Sequence, residues 1–178
     1  MQVDLSSNYF ALFGFAVEFE LDTQLLGKRW QELQRSLHPD RFVSASDAER
    51  RYSMQAASLV NEAHKVLATP LARAAYLLKL RDIDLDVETD TRMAPEFLME
   101  QMELREQLDE VNAAADPYAR IDSIRSVLKD MGERTEASFK QCYTADDMVS
   151  ARDAVRQWQF IDKLQREVSD LEADLDDA

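Results

Sequence analysis

Apolar positions recur every three to four residues along most of this chain, the spacing of helices joined by short breaks. The first element, Tyr9 to Phe13, is short and aromatic, and Gly14 stops it. An irregular stretch runs on to Leu21. Asp22 or Thr23 then caps a helix to about Leu37, with Leu26, Trp30, Leu33 and Leu37 on one face. Lys28, Glu32 and Arg35 lie opposite, with Arg29 on the flank, so the outer face is mostly basic. Pro39 disfavours helical geometry at His38, and 38–46 reads as a loop. A third helix spans about Asp47 to Ala68, its stripe of Ala56, Leu59, Val60, Ala63 and Leu67 set to face Trp30 and Leu33. Thr69 and Pro70 restart the chain as cap and first residue of a short helix carrying Ala74, Ala75, Leu77 and Leu78.

The pattern changes at residues 82–93. Acids alternate with apolar or β-branched residues and no helical period persists, which reads as a linker between a unit 1–81 and a unit 94–178. Pro95 opens a helix to about Ala115, Asp116-Pro117 another to about Tyr143, and Thr144 the last, to about Leu175. Ile161, Leu164, Val168, Leu171 and Leu175 form a packing seam on it. Short connections between three helices predict an antiparallel bundle. The expected fold is all-α.

Composition sharpens this. Among 178 residues there are only three glycines, Gly14, Gly27 and Gly132, too few for a turn-rich sheet protein or a phosphate-cradling loop. Cys142 is the only cysteine, so the chain holds no internal disulfide and no Cys-built metal or iron–sulfur site. His38 and His64 are too few for a His-rich metal centre. No cofactor is expected. The single cysteine and the lack of a recognisable signal peptide point to a reducing, cytoplasmic setting, and no apolar run is long enough to span a membrane. Net charge is −14. Residues 1–80 balance nine Lys and Arg against nine Asp and Glu, while 81–178 set twelve against 26. The whole acid excess lies in the second half, which disfavours nucleic acid as a partner.

Two features carry candidate chemistry. One is His38-Pro39-Asp40, between two amphipathic helices. Taken alone, the tripeptide is a turn in which proline stops a helix and aspartate accepts local bonds. It could also be an acid–base pair, although no nucleophile accompanies it by motif. The other is the helix from Pro95. Taking Phe97 as origin, Leu104, Leu108 and Val111 fall within about 40° and complete one core stripe. Leu98, Met99 and Met102 fall at about 100–200°, and Glu103, Glu106 and Glu110 at about 180–240°. This second face is apolar and rimmed by glutamates, so it is either a binding patch or a second buried face.

The flanks of the tripeptide resemble the J domain of DnaJ-type co-chaperones. The matching stretch is Leu33-Gln34-Arg35-Ser36-Leu37-His38-Pro39-Asp40-Arg41-Phe42, and Val60 to Leu78 resembles that family's third helix and its end. The Gly/Phe-rich segment and Cys-rich module of general DnaJ proteins are absent. The acidic helical second half, with Phe97-Leu98-Met99-Glu100-Gln101-Met102-Glu103-Leu104-Arg105-Glu106-Gln107-Leu108-Asp109-Glu110, resembles the HscB family, J-type co-chaperones of iron–sulfur cluster biogenesis.

That resemblance implies no catalysis of the chain's own. It implies stimulation of the ATPase of a DnaK-type, HscA-like chaperone and delivery of an IscU-like scaffold protein. His38, Pro39 and Asp40, with Lys28, Arg29, Arg35 and Arg41, would meet the chaperone. Leu98, Met99, Met102 and Phe160 would form the scaffold-binding patch, with Glu103, Glu106 and Glu110 as its acidic rim. An enzyme using His38 and Asp40, or a purely structural helical scaffold, are the competing readings. Elsewhere, Trp30 and Trp158 are expected in the core, His64 on a helix flank and Cys142 as a small buried residue. The acidic end, Glu172 to Asp177, is expected to be solvated and frayed.

Overall fold

The computed structural model describes residues 3–42, 45–85 and 95–177, and all regular structure among them is helical. Seven α-helices follow in order: α1 (Tyr9–Leu12), α2 (Thr23–Leu37), α3 (Asp47–Ala68), α4 (Pro70–Lys79), α5 (Pro95–Asp109), α6 (Pro117–Thr144) and α7 (Met148–Asp176). The chain divides into two compact units, Met1–Arg81 and Asp82–Ala178. Residues 86–93 of the sequence-defined linker lie outside the described residues.

In the first unit, α2 and α3 run antiparallel. The Trp30 indole stacks on His64 at 4.6 Å and donates to Asn61 at 3.0 Å, while Leu37 at the far end of α2 meets Ser53. Leu26, Leu33 and Leu37 bury against Ala56, Val60, Ala63 and Leu67, and α4 adds Ala74, Leu77 and Leu78. Asp22 is the cap of α2, accepting from the Leu25 amide at 2.9 Å. The short α1 is tied down by aromatics: Tyr9 stacks on Tyr76 at 4.3 Å, and its hydroxyl donates to Glu62 at 2.8 Å. Partial burial, then the Glu62 carboxylate, push the Tyr9 phenol up to about 12. Gly14 ends α1 with φ +68, the left-handed geometry that glycine adopts without strain.

The second unit is a three-helix bundle. Tyr118 pairs with Asp176 at 2.9 Å, Arg125 with Glu172 at 2.6 Å, and Gly132 packs near Ile161 and Gln165, so α6 and α7 are antiparallel. Phe97, Leu104 and Val111 join Ile121, Ile124, Leu128, Met131, Ile161, Leu164 and Val168 in one core.

Several sequence expectations shift. Helix α5 ends at Asp109, not near Ala115, and a 3₁₀ turn over Val111–Ala113 follows. Val111 is fully buried and pulls the chain inward, and Asp116 must be extended to cap α6 ahead of Pro117. Thr144 closes α6 rather than opening α7, whose cap is Asp147, accepting from the Ser150 amide at 3.1 Å. Between them Asp146 takes φ +59, with its amide on Tyr143 and the Asp147 amide on Cys142, a Schellman closure with aspartate in glycine's place. The acidic end is helical to Asp176, anchored by the Tyr118 and Arg125 contacts, rather than frayed. Trp30, Trp158 and Cys142 are half-buried rather than interior.

Candidate functional site

His38 leaves α2 with ψ 133, the extended geometry that a following proline enforces. The chain then tightens into a 3₁₀ turn over Pro39–Phe42 instead of an irregular loop, closed by the Arg41 amide donating to the His38 carbonyl at 3.0 Å. The Asp40 amide donates to His38 Nδ1 at 3.3 Å, and the Asp40 carboxylate lies 3.5 Å from the same nitrogen. A neutral ring accepting at Nδ1 carries its proton on Nε2. The side chains are 59% and 85% exposed, so this imidazole and carboxylate stand in solvent rather than in a substrate cleft.

The turn is braced on both sides. Behind it, the buried Ser53 hydroxyl of α3 donates to the Leu37 carbonyl at 2.8 Å. After it, Ser46 and Glu49 close a reciprocal capping box at the start of α3. The Ser46 bonds hold the Glu49 carboxyl below its ordinary value, so the box's contribution is fully present above that ordinary value and is lost as pH falls below it through the lowered one.

Lys28, Arg35 and Arg41 are exposed, and Arg41 reaches the Arg35 carbonyl at 3.5 Å. Arg29 is engaged differently. Its Nη1 donates to the carbonyls of Phe13 at 2.5 Å and Gly14 at 3.1 Å, and its guanidinium lies 4.6 Å from the Phe15 ring centroid. Sequence spacing put Arg29 on the basic flank; the structure commits its charge to holding the turn after α1. Nothing in the periodicity signals this, because the contact is to backbone far along the chain.

On α5 the two faces separate as the helical spacing predicts. Phe97 and Leu104 are buried, whereas Leu98, Met99 and Met102 are 42%, 62% and 71% exposed. Glu103, Glu106 and Glu110 are exposed beside them, and Glu110 lies 3.8 Å from Arg120. Phe160 of α7 is half-buried: its ring meets Phe97 edge-on at 5.9 Å, and Arg105 lies over it. An apolar cluster on a helix that already buries a complete stripe has no packing role of its own. Sequence reasoning missed Arg105, which shares that face. Among the described residues no group of three or more His, Cys, Asp or Glu could hold a metal ion, and no helix is long and apolar enough to cross a membrane.

A basic helix, an exposed His-Pro-Asp turn and an apolar returning helix define a J-type co-chaperone unit, here joined to a helical bundle. The comparisons with known proteins are specific. The family profile described as the HSCB C-terminal oligomerisation domain matches residues 93–169. A co-chaperone protein HscB homolog of Photobacterium profundum is 41% identical over 165 residues, 93% of this chain and 96% of that one. The structure of the chaperone HscB from Vibrio cholerae superimposes with a TM-score of 0.85 at 39% identity, covering 95% of this chain and 99% of that chain. The crystal structure of human co-chaperone protein HscB gives 0.87 at 32%, covering 95% and 84%. The chain belongs to the HscB family of co-chaperones.

Proposed function

We propose that this chain stimulates ATP hydrolysis by a DnaK-type, HscA-like chaperone and delivers to it an IscU-like scaffold protein, assisting the maturation of iron–sulfur proteins in the cytoplasm. In this reading residues 1–81 engage the chaperone, 82–93 link, and 94–178 hold the scaffold. The chain itself catalyses nothing. His38, Pro39 and Asp40, with Lys28, Arg35 and Arg41, make the chaperone contact, which suits an acidic partner surface and fast encounter. Arg29 acts through the turn after α1, where it bonds the Phe13 and Gly14 carbonyls. Leu98, Met99, Met102 and Phe160 hold the scaffold inside the rim of Glu103, Glu106 and Glu110.

The observation that carries the reading is the exposure of Leu98, Met99 and Met102 on a helix whose opposite side supplies Phe97 and Leu104 to the core. Methionines adapt to a partner's contours, and the glutamates keep the patch soluble when empty. The exposure of His38 and Asp40 favours recognition over acid–base catalysis, since neither is shielded from water.

Steady-state phosphate release by the chaperone tests the proposal, with scaffold present and absent. Wild-type protein raises the rate, and scaffold raises it further. His38→Gln and Asp40→Asn lose both effects while circular dichroism stays unchanged. Full stimulation by both variants would remove the J-unit assignment, and turnover of a substrate by the chain alone would favour the enzyme reading.

A further inference from the structure

The buried side chains of α3, taken from its start, are Ser53, Ala56, Val60, Ala63 and Leu67. The two nearest the His-Pro-Asp turn are small, so α3 contributes least apolar burial at the end of the hairpin that carries the turn. Ser53, whose hydroxyl donates to the Leu37 carbonyl, belongs to that end. Helices open first where few apolar contacts hold them.

The N-terminal segment is fastened at this level of α3. The Val3 amide donates to the Tyr52 hydroxyl at 2.6 Å, and the same hydroxyl donates to the Val3 carbonyl at 2.9 Å. One side chain thus satisfies both backbone groups of a residue 49 positions away. Val3 is itself buried, which adds a branched apolar side chain where α3 supplies little. The Asp4 carboxylate then turns the chain, accepting from the Ser6 amide at 2.9 Å and the Ser6 hydroxyl at 2.7 Å. At the far end the Tyr9 amide donates to the Tyr76 hydroxyl of α4 at 3.0 Å. Residues 3–9 therefore form a strap held by two tyrosine hydroxyls, one of them on the residue before Ser53.

We infer that Tyr52 is a positioning residue for chaperone stimulation: by clipping the strap to the second turn of α3 it keeps Ser53 on the Leu37 carbonyl, and so holds the His-Pro-Asp turn in its presented geometry. Tyr52 acts through Ser53 and touches no partner. When the clip opens, fewer molecules hold the turn. A chaperone that binds only the held turn then sees an affinity reduced by that fraction, while saturating chain restores the full effect. This inference rests on the reading of residues 1–81 as the chaperone-engaging unit.

The test uses the full chain and its Tyr52→Phe, Val3→Ala and Leu5→Ala variants. Tyr52→Phe keeps the ring and loses both bonds to Val3. Leu5 is exposed on the strap and serves as the control. Phosphate release by the chaperone is followed against chain concentration, and hydrogen exchange compares the amides of residues 50–54 with those of 60–67. Tyr52→Phe should raise the half-saturating concentration about three- to tenfold at an unchanged maximal rate. It should also speed exchange at 50–54 and leave 60–67 as in wild type. Val3→Ala should shift both readouts in the same direction by less, and Leu5→Ala should match wild type. Scaffold affinity, measured by calorimetry, should be unchanged throughout, because α5 belongs to the other unit.

If Tyr52→Phe melts lower but keeps the wild-type half-saturating concentration, the clip serves stability alone; the inference fails and the chaperone reading stands. A lowered maximal rate at an unchanged half-saturating concentration also overturns it, since opening of the clip would not be what limits stimulation. Should Tyr52→Phe fail to fold, Val3→Ala carries the same comparison. If the wild-type chain does not stimulate the chaperone, the chaperone reading falls and the inference with it.

Discussion

The buried Ser53 hydroxyl of α3 donates to the Leu37 carbonyl at 2.8 Å, where α2 stops and the His-Pro-Asp turn begins. Pro39 has no amide hydrogen and His38 is extended, so the last carbonyls of α2 lack helical partners. Ser53 supplies one from across the hairpin and fixes the direction in which His38 leaves the helix.

Replacing Ser53 by alanine leaves that carbonyl buried without its donor. The expected cost is about 1–3 kcal/mol, read from chemical denaturation. Chaperone stimulation should fall at temperatures where the variant remains folded, because the turn loses its brace. Unchanged stimulation with lowered stability would show that the bond serves the hairpin alone.

Arg29 and Arg35 should behave oppositely although both are basic residues of α2. Arg29→Ala removes two bonds to the turn after α1 and the Phe15 contact, and is expected to cost about 1–3 kcal/mol. Arg35→Ala should leave the melting curve within about 0.5 kcal/mol of wild type and weaken chaperone stimulation most at low ionic strength. A stable Arg29→Ala protein with a lost salt dependence would return Arg29 to the docking surface.

The two faces of α5 predict two classes of variant. Leu104→Ala should cost about 2–5 kcal/mol, because the side chain is 3% exposed. Leu98→Ala and Met102→Ala should change stability by no more than about 0.5 kcal/mol and weaken scaffold binding. Phe160→Ala should do both, since its ring is half-buried on Phe97. Paired melting curves and titrations decide each case.

Gly132 lies inside α6, where glycine costs helix stability through backbone entropy. A β-carbon there would meet Gln165 and Ile161 no closer than 4.0 Å. Gly132→Ala is therefore expected to stabilise the protein by about 0.5–1 kcal/mol, seen as a raised melting temperature. A fall would show that α6 and α7 approach more closely than this spacing allows.

The helical faces were readable because period and burial are coupled along one element. Leu26, Leu33 and Leu37, or Phe97 and Leu104, declare themselves by spacing; the spacing also set Leu98, Met99 and Met102 on a second face, but left open whether that face was exposed or buried. Contacts between elements were not readable in this way. Arg29 bonding backbone carbonyls, Arg105 covering Phe160, and Tyr118 and Arg125 holding the acidic end of α7 all depend on which helices meet and at what height. Helix ends were blurred where a cap competes with propensity, as when Ala113 to Ala115 favoured continuation and the extended Asp116 cap prevailed.

The three-residue reversal between α6 and α7 has a consequence for folding order. It returns the chain at almost no loop-closure cost, so these two helices can zip from that end on local contacts. Each buries six side chains, whereas α5 buries only Phe97 and Leu104 within its length. Helix α5 is then the last to dock and the first to detach, and its amides should exchange with solvent well before those of α6 and α7. The helix that bears the patch is thus the least costly part of the bundle to reposition when a partner arrives.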